Sequence, residues 1–520
     1  MKKILFIGLL VSTLTACSSF LEEYSQDLSR VESVADLDEL LLGDAYLPVG
    51  FYEQYNSSAL QLYNLFIHFM SDELMQNPYT DNRFLSFAAP SSLFGYFTWQ
   101  RQVGVNPENT TVGQEDECWE KSYKYINTTN MILDEIGNVK ANNKHEELDK
   151  IRIKGEAHFL RALYYFTLVN LYAAPYEPSK AASTPGIPLK LTSYIEDKDY
   201  ELATLADVYT QIIKDLEEAE TCLKQTEKVS IYHADLTTTY LLTSRVYLYM
   251  QNYTDTRKYA QYVLDRNDAL SDLNGFADES GNFLNSSLSE ILFSMGGHQL
   301  STGIMGYEER KHYDDERPFY ISEDLCNAFN KDDLRKQHYI KREGSFYIFQ
   351  KVRWDDKEHP ASKCPISDNF LFRTTEAYLN LAEAAAFEND ETTAREKLQL
   401  LRNKRFKTPP ALNATGNALI DSIRIERQRE LCLEGHRWYD LRRYSVCEKY
   451  PWSRSYTHVY YDFQYDSETY IKVLKQARYY QLKENDKAYT LALPREVTDF
   501  QNTLGKNERP DREPYETINY

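Results

Sequence analysis

Glycine and basic charge are both scarce in this 520-residue chain. Its 19 glycines form no G-x-G-x-x-G or Walker pattern, so the sequence offers no backbone loop that would cradle the phosphates of a nucleotide. The histidines make no H-E-x-x-H pair and no G-x-S-x-G is present, which leaves the motifs of zinc proteases and serine hydrolases unmatched. Acidic residues outnumber basic ones by 79 to 59, and the net charge of −20 disfavours nucleic acid and other polyanions as ligands. We therefore expect a protein without a cofactor or a metal ion.

Apolar runs of membrane-spanning length are also missing. The run over residues 4–14, which follows two lysines, is shorter than the roughly 20 apolar residues that a hydrocarbon core requires. It predicts a signal peptide over residues 1–16 that is removed by cleavage. Ala16 and Cys17 end the run in a way that resembles a bacterial lipobox, which predicts a lipid anchor on Cys17 and a tether over residues 17–30. The alternative is an ordinary secretory signal with a fortuitous cysteine.

Cysteine is sparse in the rest of the chain. None of the remaining cysteines belongs to a C-x-x-C pair. An exported protein can oxidise its cysteines, but so few in so long a chain indicate buried thiols or incidental bridges, and a metal site is not expected. These residues are Cys118, Cys222, Cys326, Cys364, Cys432 and Cys447.

Helical periodicity dominates the middle of the sequence. From Trp119 onward, apolar residues recur at three- and four-residue steps, and a group of prolines after residue 174 predicts the end of the helix that contains residues 153–171. Together the patterns predict an all-α, mostly helical fold with tetratricopeptide-like hairpins, which must stack on one another to bury their apolar faces. Further predicted helices are 205–223, 236–264 with a joint at 251–253, 374–387 and 392–405.

Three long stretches, about 77–113, 271–365 and 451–520, lack a regular pattern. Connections of this length are uncommon in compact domains unless they are functional or contain short elements of their own, so we expect ligand contact there. The chain has 42 tyrosines, whose rings combine a flat apolar face with a polar tip and suit both packing and stacking on a sugar or peptide. The alternative for each ring is that it only packs a loop onto the core. The candidate ligand-binding residues are Tyr96, Trp99, Arg101, Asn106, Tyr307, Tyr313 and Tyr320.

A strongly charged segment around Arg427 suggests acid–base chemistry. Glu426, Glu430 and Glu434 recur at four-residue steps, and paired carboxylates are the machinery of glycoside hydrolysis. Because arginines interleave with them, we expect ion pairs that keep the carboxyl pKa values low and give these residues a structural role. Trp438, which follows in the same segment, is expected to pack in the core.

The order of several motifs resembles the SusD/RagB family over nearly the whole chain. After the lipobox come the stripe at 119–130, the segment KGEAHFLRA at 154–162 and the turn PGIPL at 185–189. The segment RTTEAYLNLAEA at 373–384 is similar to a second family signature, and IERQREL with EGHRWYDLRR, within 425–443, to the most specific one. The chain departs from the family in its closing segment, where NERP replaces the usual Asn-Pro-Gly, and at Ala173, where glycine is common.

This resemblance implies a single domain over residues 31–520, with a helical part at about 115–270 and 370–445 and an irregular binding lobe formed by the three stretches named above. It implies a non-enzymatic, lipid-anchored protein of the Bacteroidetes outer membrane that faces the cell exterior. Such a protein binds a glycan and acts as a lid on a SusC-like TonB-dependent transporter. Two alternatives remain, a peptide-binding RagB-like lid and a lipid-anchored tetratricopeptide scaffold that binds only protein partners.

Overall fold

The computed structural model describes most of the chain from Val31 onward. The described residues are 31–47, 64–78, 90–111, 117–196, 198–276, 283–296, 300, 318–352, 366–367, 369–465, 468, 472–501, 504–505 and 509–520. Among them, no helix combines the length and the apolar character that crossing a membrane requires. Cys17, Tyr307, Tyr313 and Cys364 lie outside the described residues, so what the sequence predicts for them stays a prediction.

Helices make up most of the regular structure. In chain order they are α1 (Val34–Leu40), α2 (Ile67–Met70), α3 (Pro90–Phe97), α4 (Glu117–Glu135), α5 (Lys144–Tyr172), α6 (Leu205–Leu223), α7 (Leu236–Tyr249), α8 (Tyr253–Arg266), α9 (Glu323–Ala328), α10 (Arg335–His338), α11 (Thr374–Phe387), α12 (Glu391–Asn403), α13 (Gly416–Glu430), α14 (Arg437–Ser445) and α15 (Arg495–Phe500). Short π and 3₁₀ turns occur at Leu41–Ala45, Leu273–Gly275 and Lys487–Tyr489. Thr204, Asp235 and Asn252 begin α6, α7 and α8 by accepting a hydrogen bond from a first-turn N–H, which satisfies a donor that has no partner within the helix.

Helices α4 to α8 and α11 to α13 pack as successive hairpins. The predicted helix 205–223 is α6, and the predicted joint at 251–253 separates α7 from α8. The close approach of α5 to α6 depends on Gly155, because a Cβ atom there would lie 2.7 Å from Cγ of Leu223. The prediction of an all-α fold is confirmed, since helices make up most of the regular structure and supply most of the buried core.

The described strands form antiparallel ribbons and one larger sheet. They are β1 (Leu74–Gln76), β2 (Ile291–Ser294), β3 (Phe319–Ile321), β4 (Ile340–Glu343), β5 (Phe346–Phe349), β6 (Leu371–Arg373), β7 (Tyr456–Tyr465), β8 (Lys472–Leu482) and β9 (Glu516–Asn519). β1 pairs with β3, β2 with β6 and β4 with β5, while the larger sheet has the order β7-β8-β9. Most of these strands lie in the stretches where the sequence has no regular pattern, so those stretches contain ordered elements of their own.

A buried network of ion pairs joins α13 to the elements packed on it. The carboxylate of Glu430 accepts hydrogen bonds from Arg373 and Arg405 at 2.9 Å and from Arg335 at 3.1 Å, and all four side chains are fully buried. Although burial raises the pKa of a carboxyl group, the three guanidinium groups hold the pKa of Glu430 well below its usual range. Despite its burial, Glu426 has a pKa of about 2 because Arg335 and other arginines face it. The predicted structural ion pairs are therefore present, with key partners from outside the helix.

The cysteines of the described residues are not bridged. Cys118, Cys222, Cys326, Cys432 and Cys447 are buried thiols. Trp438 is buried as well, as the sequence predicts. Burial of a thiol disfavours the thiolate, and the pKa of Cys326 is raised to about 11 mainly by this effect. These thiols are therefore packing residues.

Candidate ligand-binding site

The first cluster of predicted binding residues lies largely in the core. The Trp99 ring is fully buried, its Nε1 donates to the carbonyl oxygen of Met70 at 2.9 Å, and it stacks on His458 with the ring centroids 4.4 Å apart. Tyr96 is also buried and stacks on Phe66 at a centroid distance of 4.4 Å. Both rings hold α3 and the residues after it in place, and neither presents an open face to a ligand.

Arg101 and Asn106 follow this cluster and lie nearer the surface. The Nη1 atom of exposed Arg101 is 3.5 Å from the carboxylate of Asp511. The Oδ1 atom of half-buried Asn106 accepts from the backbone N–H of Glu108 at 3.2 Å and of Thr110 at 2.8 Å, so this side chain shapes its own turn. Ligand contact by these two residues stays a prediction.

Tyr320, from the second predicted cluster, is a buried residue of β3. It lies opposite Met75 of β1, and its ring stacks on Phe346 of β5 at a centroid distance of 4.3 Å. The ring therefore joins the β1–β3 ribbon to the β4–β5 ribbon.

A surface cavity of about 300 Å³ lies beside these residues, between β1, the start of α9 and the edge of β7. We call it the β7 groove. Met75, Val459 and Tyr461 are partly exposed, while Thr457, Glu323 and Asp324 are exposed. Its lining combines aromatic and apolar side chains with carboxylates and a guanidinium group: Asp72, Leu74, Met75, Gln76, Phe97, Ser322, Glu323, Asp324, Arg454, Tyr456, Thr457, His458, Val459 and Tyr461.

The main chain of β7 is open toward this groove. Gln76 donates from Nε2 to the carbonyl oxygen of Tyr461 at 2.9 Å, and the N–H of Tyr461 donates back to Oε1 of Gln76 at 2.8 Å. Backbone groups of an antiparallel strand alternate in direction with a period of two residues. The N–H and C=O groups of Val459 and Thr457 therefore point to the same side as those of Tyr461, where they offer donors and acceptors to a ligand.

The charges beneath the groove largely compensate one another. Arg437 donates to both carboxylate oxygens of Asp72 at 2.8 Å, and Arg454 lies 3.4 Å from the same carboxylate. Although burial raises the pKa of Asp72, the two guanidinium groups hold it below its usual value. Arg454 also pairs with Asp324 at the rim. The groove thus has no uncompensated cation among its described lining residues.

Glu73 lies next to Asp72 and behaves differently. Burial, and then the charge of Asp72, raise the pKa of Glu73 to about 8, so this carboxyl group is mostly neutral at neutral pH. Its Oε1 accepts from the backbone N–H of Leu433 at 3.2 Å. No set of three metal-ligating side chains occurs among the residues with described positions.

Comparison with known proteins identifies the family. Residues 20–248 match a family model described as starch-binding and associating with the outer membrane, and residues 249–509 match the model of the SusD family. The chain belongs to the SusD family. This SusD-family protein is a nutrient-binding protein. Members of its family are binding proteins rather than enzymes, and they associate with the outer membrane.

Individual relatives of the SusD-family protein agree with this assignment. A SusD-like protein of Formosa agariphila is 23% identical over 376 residues, which cover 64% of this chain and 70% of the relative. A SusD superfamily protein of Bacteroides thetaiotaomicron has a similar fold, with a TM-score of 0.65, 20% identity and coverage of 92% of this chain and 100% of that one. A SusD-like carbohydrate binding protein of Bacteroides vulgatus has a TM-score of 0.64, 19% identity and coverage of 91% and 97%. At these identities the two structures establish the fold.

The stretches in which the sequence predicts ligand contact, 77–113, 271–365 and 451–520, supply most of the residues that line the β7 groove of this SusD-family protein, but none of the described residues that were selected lines it. The selected residues include neighbours of Phe97, whereas the other lining residues come mainly from β1, the start of α9 and β7. A signal was present in the segment YTHVYY at 456–461, where buried Tyr456, His458 and Tyr460 alternate with outward-facing residues as in a half-buried strand. The two adjacent tyrosines at its end reduce the contrast between the faces, which is why the alternation is hard to see in the sequence.

Proposed function

We propose that this SusD-family protein is a lipoprotein of the cell surface, anchored through lipidated Cys17, that binds a glycan and delivers it to a SusC-like TonB-dependent transporter. A lid tethered at a transporter mouth raises the local concentration of ligand there, and residues 17–30 would supply the tether. The lid binds its ligand without cleaving it.

The β7 groove is the observation on which this proposal rests. A pyranose ring has apolar C–H faces and a rim of hydroxyl groups, so its site needs an aromatic or apolar surface beside hydrogen-bonding groups. Tyr461, Met75 and Val459 provide the aromatic and apolar surface. The open main chain of β7 provides hydrogen-bonding groups within the same cavity. Among the residues predicted from sequence, we retain Arg101, Asn106, Tyr307 and Tyr313 as candidate contacts.

A combined glycan and peptide array tests the proposal on protein that lacks residues 1–17. We expect one class of glycan to bind and to be recovered intact. The substitution Tyr461→Ala should weaken binding of that glycan about tenfold, because a stacked ring contributes on the order of 1.5 kcal/mol. Isothermal titration measures the change.

A matched control is Tyr194→Ala, which removes a ring that is 63% exposed on the connection between α5 and α6. This variant should bind as the unmodified protein does. If the protein binds only peptides on the array, the proposed ligand is a peptide instead of a glycan. Unchanged affinity of the Tyr461→Ala variant would remove the β7 groove from the proposal.

A further inference from the structure

Three apolar side chains lie exposed on the connection between α5 and α6. Over residues 191–195, Leu191 is 40% exposed, Tyr194 is 63% exposed and Ile195 is 98% exposed. Single apolar residues on a surface are ordinary, but several so close together are typical of a surface that contacts another molecule. Side chains this exposed also add little to the stability of the fold, because they bury little apolar area. We call these three residues the loop tip.

The two ends of the loop that carries the tip are joined. The N–H of Gly186 donates to the carbonyl oxygen of Ala203 at 2.7 Å, and the N–H of Ala203 donates to that of Ile187 at 3.2 Å. Residues 188–202 therefore leave the helical part and return to it at one place, as an Ω-loop does. We call residues 188–202 the α5–α6 loop. Compact loops with closed ends are frequently functional.

Hydrogen bonds to two helices fix the base of the α5–α6 loop. The hydroxyl group of Tyr165 in α5 donates to the carbonyl oxygen of Lys190 at 2.5 Å and accepts from the N–H of the same residue at 3.0 Å. Asn130 of α4 donates from Nδ2 to the carbonyl oxygens of Lys190 and Thr192, at 3.0 and 3.1 Å. The loop is therefore braced on the helices of the first hairpin.

Contacts within the loop hold the backbone of the tip. The ammonium group of Lys190 donates to the carbonyl oxygens of Thr192 and Tyr194, both at 2.8 Å. The carboxylate of Glu196 accepts from the hydroxyl group of Thr192 at 2.8 Å and from Lys198 at 2.7 Å. A tip that is ordered before it binds loses less conformational entropy when a partner covers it. The loop thus combines an exposed apolar tip with a preorganised backbone.

The charge around the tip indicates the chemistry of the partner. The α5–α6 loop contains two lysines and four acidic residues, for a net charge of −2, and Asp134 of α4 adds a carboxylate that accepts from the N–H of Ser193 at 3.2 Å. Lys190 is bonded to carbonyl oxygens, and Lys198 is paired with Glu196. Segments that lie on a membrane surface are rich in lysine and arginine, which is the opposite composition. A protein pocket with apolar walls and a basic rim complements both the tip and its charge.

We propose that the loop tip docks into an apolar pocket with a basic rim on a protein partner, and that this partner is the SusC-like transporter. The inference rests on the proposed delivery function and adds the surface by which the protein attaches. None of the described residues of the α5–α6 loop lines the β7 groove, so the partner and the nutrient contact different residues. Tyr194 and Ile195, the most exposed residues of the tip, carry most of the affinity.

The test measures how much of the full chain stays bound to the transporter. Cells produce both proteins, the transporter is purified through a tag, and the amount of this protein retained per transporter is quantified in washes of increasing salt. The double variant Tyr194→Ala/Ile195→Ala should be retained about tenfold less, because exposed anchors of this kind dominate interfaces. Its melting temperature and its glycan affinity should equal those of the unmodified protein.

A second variant tests the charge. Asp199→Asn/Glu201→Gln removes two carboxylates from the α5–α6 loop. Retention of the unmodified protein should fall as salt increases, because salt screens the attraction to the basic rim, and the charge variant should show a weaker dependence on salt. The matched control for the tip is Val229→Ala, which removes an apolar side chain that is 57% exposed between α6 and α7. This control should be retained as the unmodified protein is.

The outcomes separate this inference from the proposed function. If the unmodified protein binds glycans but is not retained by the transporter, the delivery function fails and the docking loop fails with it. If the unmodified protein and the double variant are retained equally, only the docking loop fails. Equal losses in the Val229→Ala control, or retention that does not depend on salt, would also contradict it.

Two other occupants of the tip are tested separately. Flotation of the protein lacking residues 1–17 with vesicles of phosphatidylcholine and phosphatidylethanolamine, lost in the double variant, would assign the tip to the membrane. A dimer in analytical ultracentrifugation that the double variant loses would assign the tip to a second copy of this chain. Either result would overturn the proposed contact with the transporter, whereas a monomer that does not float supports it.

Discussion

Glu73 and Asp72 are adjacent in the sequence and both buried, yet their pKa values shift in opposite directions. Two guanidinium groups face Asp72, whereas Glu73 meets the negative charge of Asp72 in a site that water does not reach. The cations Arg437 and Lys351 lower the pKa of Glu73 only in part. The pair therefore carries close to one negative charge at neutral pH.

The raised pKa of Glu73 predicts a pH-dependent cost to stability. Between its ordinary value of 4.5 and about 8, the folded protein holds a proton that the unfolded chain has released. The free energy of unfolding thus falls with rising pH by about 1.4 kcal/mol per unit from this group, and the loss levels off above pH 8. In Glu73→Gln this slope should disappear, as urea unfolding at several pH values will measure.

The matched control for Glu73 is Glu218→Gln, whose carboxylate is 45% exposed and 3.8 Å from Lys154. Its unfolding free energy should follow that of the unmodified protein at every pH. If the curves of Glu73→Gln and the unmodified protein run parallel between about pH 5 and pH 8, Glu73 is ionised in the folded state and the argument fails.

The sequence predicted the structural role of the carboxylates near Arg427, but it did not identify the arginines that pair with them. From the four-residue spacing of Glu426 and Glu430 we predict structural ion pairs with low carboxyl pKa values, and both pKa values are low. The arginines that cause the shift in Glu430 are Arg335, Arg373 and Arg405, which are distant from it along the chain or lie on other elements. Helical spacing cannot reveal partners that only tertiary packing brings together.

At the scale of elements, Gly155 sets how closely α5 and α6 approach. A methyl group at this position would lie 2.7 Å from Cγ of Leu223 and 2.9 Å from Cβ of Cys222, and neither is the flexible end of a side chain. Gly155→Ala should therefore lower the free energy of unfolding by about 1–2 kcal/mol, even though alanine favours the helix by about 1 kcal/mol. Denaturant unfolding provides the measurement.

Gly137 gives the comparison for this substitution, because nothing lies within 4 Å of a Cβ atom placed there. Gly137→Ala should leave the unfolding free energy within about 0.5 kcal/mol of the original. A Gly155→Ala variant as stable as Gly137→Ala would mean that the two helices can move apart at little cost.

Long helices were predictable, and the strands were not. The sequence placed α6 at its observed bounds, because a full apolar stripe between polar ends leaves little ambiguity. β1 and β3 have only three residues each and pair across more than two hundred positions, so no local pattern indicates them. β7 pairs with β8, which begins only seven residues after β7 ends, but its tyrosines face both the core and the surface.

On the scale of the whole molecule, buried carboxylates with lowered pKa values should make the protein sensitive to acid. Asp72, Asp440, Glu426 and Glu430 all face guanidinium groups. Each adds stability above the ordinary carboxyl pKa, and this stability is lost as the pH falls toward the value in the folded state. We expect the melting temperature to fall steeply between about pH 4.5 and pH 3 in scanning calorimetry, and a flat profile there would contradict the network.

The side chain of Gln76 has a consequence for self-association. An open strand edge is a template on which a second copy of the same chain can add its own strand, and the proposed lipid anchor would concentrate copies in one plane. By taking both main-chain groups of Tyr461, Gln76 ends the ladder at that residue. The main-chain groups of Val459 and Thr457 stay open beside the groove, but an added strand could not continue past Tyr461 without displacing Gln76.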